Sequence, residues 1–160
     1  MKISKRILVP IDGSKLSKLA YSQAIKLAKR INANVTLIYV LEPIKYDFQN
    51  FGYPYIDPLY YISRKGNKRF MRSILNGLAG EGKKEGINVG STIVEGQVAS
   101  EIIRNSSHYD LIIMGLFGHS VLSRLFFGSN AEKVARKAEC PVMLMKEISK
   151  KDRKMLVEVS

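Results

Sequence analysis

Short apolar runs alternate with amphipathic stretches along most of this chain. Ile7-Leu8-Val9-Pro10-Ile11 is apolar and β-branched with no polar alternation, the pattern of a strand covered on both faces. Asp12-Gly13-Ser14 makes a turn, with Asp12 or Ser14 placed to cap the next helix. From Ser14 to Ile31, Leu16, Leu19, Ala20, Ala24, Leu27, Ala28 and Ile31 recur at helical spacing, and lysines fill much of the other side. Val35 to Leu41 reads as a second strand. A strand, a helix and a strand in about 35 residues make a βαβ unit, whose crossover between parallel strands is right-handed.

Beyond Glu42-Pro43 the pattern breaks. Residues 44–61 are rich in Tyr, Phe, Pro and Asp without a period, which predicts a long irregular loop: a lid, a self-packed loop or part of a dimer surface. A second helix is expected over Ile62–Glu85, with Phe70, Met71, Ile74, Leu75 and Leu78 on its inner side; Gly77, Gly80 and Gly82 weaken its last turns. Asn88–Val94 is half polar and suits a strand at a sheet edge. A short helix over Gln97–Ser107 follows, then a strand over Asp110–Met114, a helix over Ala131–Ala138, and a last strand from Val142 to Lys146. Strands and helices alternating in this way predict an open parallel α/β sheet.

Composition narrows the functional classes. One cysteine excludes an internal disulfide framework and fits a reducing, cytoplasmic setting. The first six residues precede only a short apolar run, wrongly flanked for a signal peptide or a membrane span. The net charge of +12 is concentrated early: residues 1–45 hold nine basic and two acidic side chains. A solvated basic helix face with weak attraction to polyanions accounts for that, and no motif for specific nucleic-acid recognition accompanies it.

The chemistry concentrates between Met114 and Asn130. A strand enters a segment punctuated by Gly115, Gly118 and Gly128-Ser129, and a helix leaves it. Unpaired N–H groups and the dipole at a helix N-terminus attract anions, and glycine permits φ > 0 and close approach of a phosphate. Neither a Walker A loop nor a G-x-G-x-x-G fingerprint is present. The spacing is G-x2-G-x9-G-S.

With that spacing, the opening strand Ile7 to Ser14 and the closing Cys140-Pro141-Val142-Met143-Leu144-Met145, the chain resembles the universal stress protein family in its ATP-binding branch. The resemblance covers roughly Lys5 to Lys146. It implies a domain over residues 1–146 followed by a tail, 147–160, and a five-stranded parallel sheet of order 3-2-1-4-5 with helices on both faces, of the adenine nucleotide alpha hydrolase-like type. Strand order then reverses between strands 1 and 4, so a ligand crevice is expected beyond their C-terminal ends.

The resemblance also implies roles. Pro10, Ile11 and Asp12 would border the nucleoside, and Val40 would offer backbone groups to adenine. Met114, Gly115, Gly118, His119, Gly128, Ser129 and Asn130 would form the phosphate end. Each has a plainer alternative: tight strand exit for Gly115 and Gly118, an N-cap for Ser129, an exposed loop histidine for His119, solvation for Arg124. Asp12 is a helix cap, a ribose contact or a Mg²⁺ ligand. Leu116 and Phe117 wall the pocket or narrow it. Cys140 reads as a small buried hydrophobe and His108 as a helix-end residue, with no Cys–His cluster for a structural metal.

The function so implied is a nucleotide-responsive switch that binds ATP, with Mg²⁺ as a possible companion. It would act as a homodimer paired through strand 5, on a protein partner that the chain does not name. No residue pair is suited to orient water, so rapid hydrolysis is not expected. Two rivals remain at this point. One is a nucleotide-free dimeric scaffold. The other is an adenylyl-transfer enzyme, whose Ser-Gly-Gly-x-Asp loop is replaced here by Asp12-Gly13-Ser14-Lys15.

Overall fold

The computed structural model describes residues 5–43, 58–116 and 128–147. Five strands, β1 (Arg6–Pro10), β2 (Asn34–Leu41), β3 (Val89–Glu95), β4 (Leu111–Gly115) and β5 (Val142–Met145), alternate with helices α1 (Lys15–Ile31), α2 (Pro58–Lys84), α3 (Val98–Ser106) and α4 (Ser129–Lys137). The strands form one parallel sheet in the order β3-β2-β1-β4-β5. Leu8 lies in register with Thr36 on one side and Ile112 on the other.

Alternation along the strands sorts the core into two layers. Ile7, Val9, Val35, Leu37 and Ile113 meet Ala20, Ala24 and Ala28 of α1 and Met71, Leu75 and Ala79 of α2. Leu8, Ile38, Val40, Ile112 and Met114 meet Ala99 and Ile102 of α3 and Ala131 and Val134 of α4. Both faces are thus covered, which is why the inner strands carry unbroken apolar runs. β3 is an edge strand with exposed Gly90, Ser91 and Thr92, as its half-polar sequence predicts.

Several elements differ from the sequence expectation. α2 begins at Pro58, four residues before Ile62, because a proline at the first helical position gives up only an N–H that has no helical partner. Its glycines do not end it; the helix continues to Lys84, and Gly82 sits where a Cβ would collide with Val89 Cγ2 and lie 2.8 Å from the Tyr21 hydroxyl. Phe70, expected inside, is 63% exposed. The core contacts of α2 run through Met71, Leu75 and Ala79 at steps of four, which turns Phe70 off the sheet-facing stripe. Ile31, at the end of α1, is likewise exposed. The irregular reading of residues 44–57, the roles given to Phe117, Gly118, His119 and Arg124, and the tail beyond Glu147 lie outside the described residues.

Candidate functional site

The reversal of strand order falls between β1 and β4. Their connections leave in opposite directions, and a crevice opens beyond their C-terminal ends. Two cavities share this crevice and three lining residues, Asp12, Val98 and Asn130.

The first cavity, of about 110 Å³, lies between the ends of β1 and β4 and the N-terminus of α4. Pro10, Asp12, Met114, Gly115, Gly128, Ser129 and Asn130 line it, with Leu116 and Ser14. At about 30 Å³ per water, that space suits a phosphate-sized group and not a nucleoside. Leu116 N–H donates to Met145 O at 2.9 Å and Gly128 N–H to Leu116 O at 3.1 Å, so both ends of segment 117–127 are tied at β4.

That second bond changes the phosphate reading. The Gly128 amide is engaged, and Glu132 N–H returns to Gly128 O at 3.0 Å. The donors left at the start of α4 are the N–H groups of Ser129, Asn130 and Ala131, which have no carbonyl one turn earlier in the helix. Ser129 is not the N-cap: Gly128 holds that position with φ −62° and ψ 135°, and no side chain caps the helix. Ser129 is the first helical residue and is exposed, so its hydroxyl is not committed to capping. Gly115 and Gly128 both have φ < 0, so their value is the missing Cβ and not a left-handed backbone. The left-handed glycine of the site is Gly13, at φ +84°.

Asp12 and Ser14 divide the capping work. Asp12 Oδ1 accepts Ser14 N–H at 2.9 Å, and Ser14 Oγ caps α1 by accepting Ser17 N–H at 3.1 Å. One Asp12 oxygen is thereby fixed in place while the residue still lines both cavities. Ile11 does not join the lining: its side chain is buried in the α1–α2 layer and its N–H donates to Ile38 O at 2.9 Å.

The second cavity, of about 850 Å³, is open and lies over the end of β2. Val40 lines it as expected, but most of its outer wall comes from α2, through Arg64, Asn67, Phe70 and Met71. The sequence reading missed these residues, and it missed Tyr39 and Lys18 beside them. Asn67 Nδ2 donates to the Tyr39 hydroxyl at 2.9 Å. Arg64 donates to Glu42 O at 3.3 Å and pairs with Glu95 at 3.0 Å. That pairing holds the Glu95 carboxyl below its usual range. Burial raises the Tyr39 phenol, opposed by the Asn67 hydrogen bond.

Cys140 and His108 lie away from this crevice. Cys140 is half-buried beside the α3–α4 layer, and burial pushes its thiol up, away from nucleophilic character. His108 follows α3, donating its N–H to Asn105 O at 3.1 Å. Among the described residues no group of three or more His, Cys, Asp or Glu side chains is placed to hold a metal, and no helix is long and apolar enough to cross a membrane.

Comparison with known proteins agrees with this geometry. Residues 4–146 match the profile of the Universal stress protein family. A universal stress protein of Methanocaldococcus jannaschii is 30% identical over 156 residues, covering 91% of this chain and 84% of that one. Universal stress protein UspA of Lactobacillus plantarum superposes with a TM-score of 0.71 at 24% identity, over 91% of this chain and all of the other. A universal stress protein family member from Arabidopsis thaliana, solved with AMP bound, superposes at 0.65 with 18% identity, over 92% of this chain and 94% of its own. The crevice at the strand-order reversal, the glycine-bordered helix start and these matches agree: this chain belongs to the universal stress protein family.

Proposed function

We propose that the protein is an ATP-binding universal stress protein that works as a nucleotide-responsive switch. The observation that carries this reading is the shared lining of the crevice: a phosphate-sized cavity at the start of α4 and a larger cavity over Val40 have Asp12, Val98 and Asn130 in common. Phosphate oxygens meet the N–H groups of Ser129, Asn130 and Ala131, the Ser129 hydroxyl and the positive end of the α4 dipole. Gly115 and Gly128 keep that approach free of side chains, and Gly118 and His119 belong to the same end. The nucleoside lies along Pro10, Asp12 and Val40, with Ile11 acting only through the backbone at its border.

A Mg²⁺ ion, where present, takes the free Asp12 oxygen. One carboxylate fits that ion, which keeps several waters and is held jointly by nucleotide phosphates. Among the described residues Asp12 is also the one carboxylate lining the phosphate cavity. Its fixed hydrogen bond to the α1 turn suits positioning better than proton transfer, so hydrolysis is slow or absent. Nucleotide binding is read out by segment 117–127, which presents or withdraws a surface for a protein partner. Copies of the chain pair through the β5 edge, where Met143 is 43% exposed. The domain comprises residues 1–146, followed by the tail 147–160.

Calorimetric titration with ATP, ADP and AMP, with and without Mg²⁺, tests this. Saturable ATP binding that is tighter than AMP binding is the expected result. AMP equal to ATP removes the triphosphate role, in line with the AMP held by the Arabidopsis thaliana relative. No binding of any of the three leaves a dimeric scaffold.

A further inference from the structure

The topology redistributes the charge of the chain in a way the linear sequence does not show. α1 and α2 lie on one face of the sheet, α3 and α4 on the other. α1 and α2 together carry twelve basic side chains and one acidic, whereas α3 and α4 carry four basic and two acidic. Nearly the whole net charge of +12 is therefore matched by the surplus of a single helical layer.

Within that layer α1 presents an ordered ridge. Ser17, Ala20, Tyr21, Ala24 and Ala28 are buried, and Lys15, Lys18, Ser22, Lys26, Lys29 and Arg30 recur on the opposite, exposed side. The ridge spans about 22 Å, fifteen steps at about 1.5 Å each, with cations at Lys15 and Lys18, the uncharged Ser22 next, and then Lys26, Lys29 and Arg30. Lys15 pairs with Glu147 and Lys29 with Glu85, both at the exposed surface, where such pairs add little stability and yield to a stronger anion. Lys18, Lys26 and Arg30 form no ion pair among the described residues.

We propose that this ridge binds the phosphodiester backbone of nucleic acid without reading its sequence. A convex row of cations along one helix face fits a linear polyanion, and release of condensed counterions supplies the free energy. A membrane surface fits less well: every ridge position is polar, so nothing on it enters the acyl boundary. An acidic peptide fits less well too, because the groove between α1 and α2 that would take it is of mixed sign, lined by Glu81 and Glu85 as well as by Lys18, Lys26 and Lys84. Most of the ridge lies away from the nucleotide crevice, so this inference stands or falls separately from the nucleotide reading.

The test uses the full chain, a fluorescently labelled mixed-sequence DNA duplex, and anisotropy across a salt series. Binding should weaken linearly in a plot of log affinity against log salt. K26Q/K29Q/R30Q should reduce that slope by about 2–3, since each lost phosphate contact removes about 0.9, and should lower affinity at low salt by about tenfold or more. K133Q/R136Q/K137Q, which removes the same charge from α4, should keep the slope. Circular dichroism checks that both variants fold, which exposed positions favour. An equal loss in the α4 variant would mean net charge alone is at work and would overturn the proposal. So would preference for one duplex sequence, or binding of phosphatidylserine vesicles without any binding of duplex.

Discussion

The Gly128 amide donates to the Leu116 carbonyl at 3.1 Å, closing the base of an eleven-residue segment between the fourth strand and the last helix. The bond takes the amide of one of the glycines expected at the phosphate end. It also fixes where α4 starts, so the amides of Ser129, Asn130 and Ala131 are the ones with no carbonyl one turn earlier in the helix. Gly128 is buried and extended there, a backbone that a β-branched residue accepts without strain. A valine at this position should therefore leave the fold intact while filling the cavity. Gly128→Val, and Gly115→Val likewise, should weaken ATP binding by about tenfold or more, equivalent to about 1.4 kcal/mol, with the thermal midpoint nearly unchanged. Unaltered calorimetric affinity in both variants would remove the phosphate role from this cavity.

Phe70 offers a separate handle on the nucleoside end. A ring that is 63% exposed contributes little to folding, so Phe70→Ala should shift stability by no more than about 0.5 kcal/mol. If the ring lies against the base, nucleotide affinity should fall by about 1 kcal/mol or more. Inorganic tripolyphosphate, which has no base, should compete equally well in both proteins. A parallel loss for tripolyphosphate would show that Phe70 does not act at the base.

The glycines of α2 make opposite predictions. Gly77 and Gly80 have nothing within 4 Å of a Cβ, whereas Gly82 packs against Val89, Tyr21 and Ile25. Gly77→Ala and Gly80→Ala should each stabilise by about 0.5–1 kcal/mol through helix propensity. Gly82→Ala should destabilise, since overpacking of about 1–3 kcal/mol outweighs that gain. Urea melts of the three variants give the signs directly.

Two tyrosines set the alkaline limit. Burial raises the phenol of Tyr21, reinforced by Glu81, and burial raises that of Tyr39. The folded state therefore holds these protons more tightly than the unfolded chain, whose phenols ionise near the ordinary value of about 10. Their contribution is fully present below that pH and is lost as pH rises from there through the raised folded values. Tyr21→Phe should flatten the alkaline fall in stability, and should also cost something at neutral pH, because the Tyr21 hydroxyl donates to Leu78 O. An alkaline profile in Tyr21→Phe and Tyr39→Phe that parallels the parent protein would rule out this origin.

Ser14 tests the turn that carries Asp12. Its hydroxyl is the side-chain cap of α1, so Ser14→Ala should cost about 1 kcal/mol and lower the thermal midpoint by about 2–4 °C. Because Asp12 is held through the Ser14 amide and not its hydroxyl, ATP affinity should change much less than stability.

Much of this architecture was legible before any coordinates. The apolar runs of β1, β2 and β4, the helical stripe of α1 and the cap at Ser14 depend on residues a few positions apart. Period and capping chemistry are local, so they survive in the linear order. The order of the strands came from family likeness rather than from residue pattern, and the sheet bears it out. What stayed hidden is what joins distant segments. The inner-side reading of Phe70 failed because a helical period defines an arc, and only packing on the sheet decides which edge of the arc is buried. An N-cap was one of two roles open to Ser129, because a serine before a helix often is one, but α4 begins at Ser129, two residues before Ala131, with Gly128 as its N-cap.

Asn67 meets Tyr39, and Arg64 meets Glu95, only because α2 crosses back over the end of β2. The cationic layer exists only because the crossovers put α1 and α2 on the same face. By itself, then, the sequence determined the elements, the two-sided burial of the sheet and the glycine-marked start of α4. The tertiary structure decided where α4 starts, which side chains wall the crevice and where the positive charge collects. Those depend on contacts between residues far apart in the chain, which no short-range period encodes.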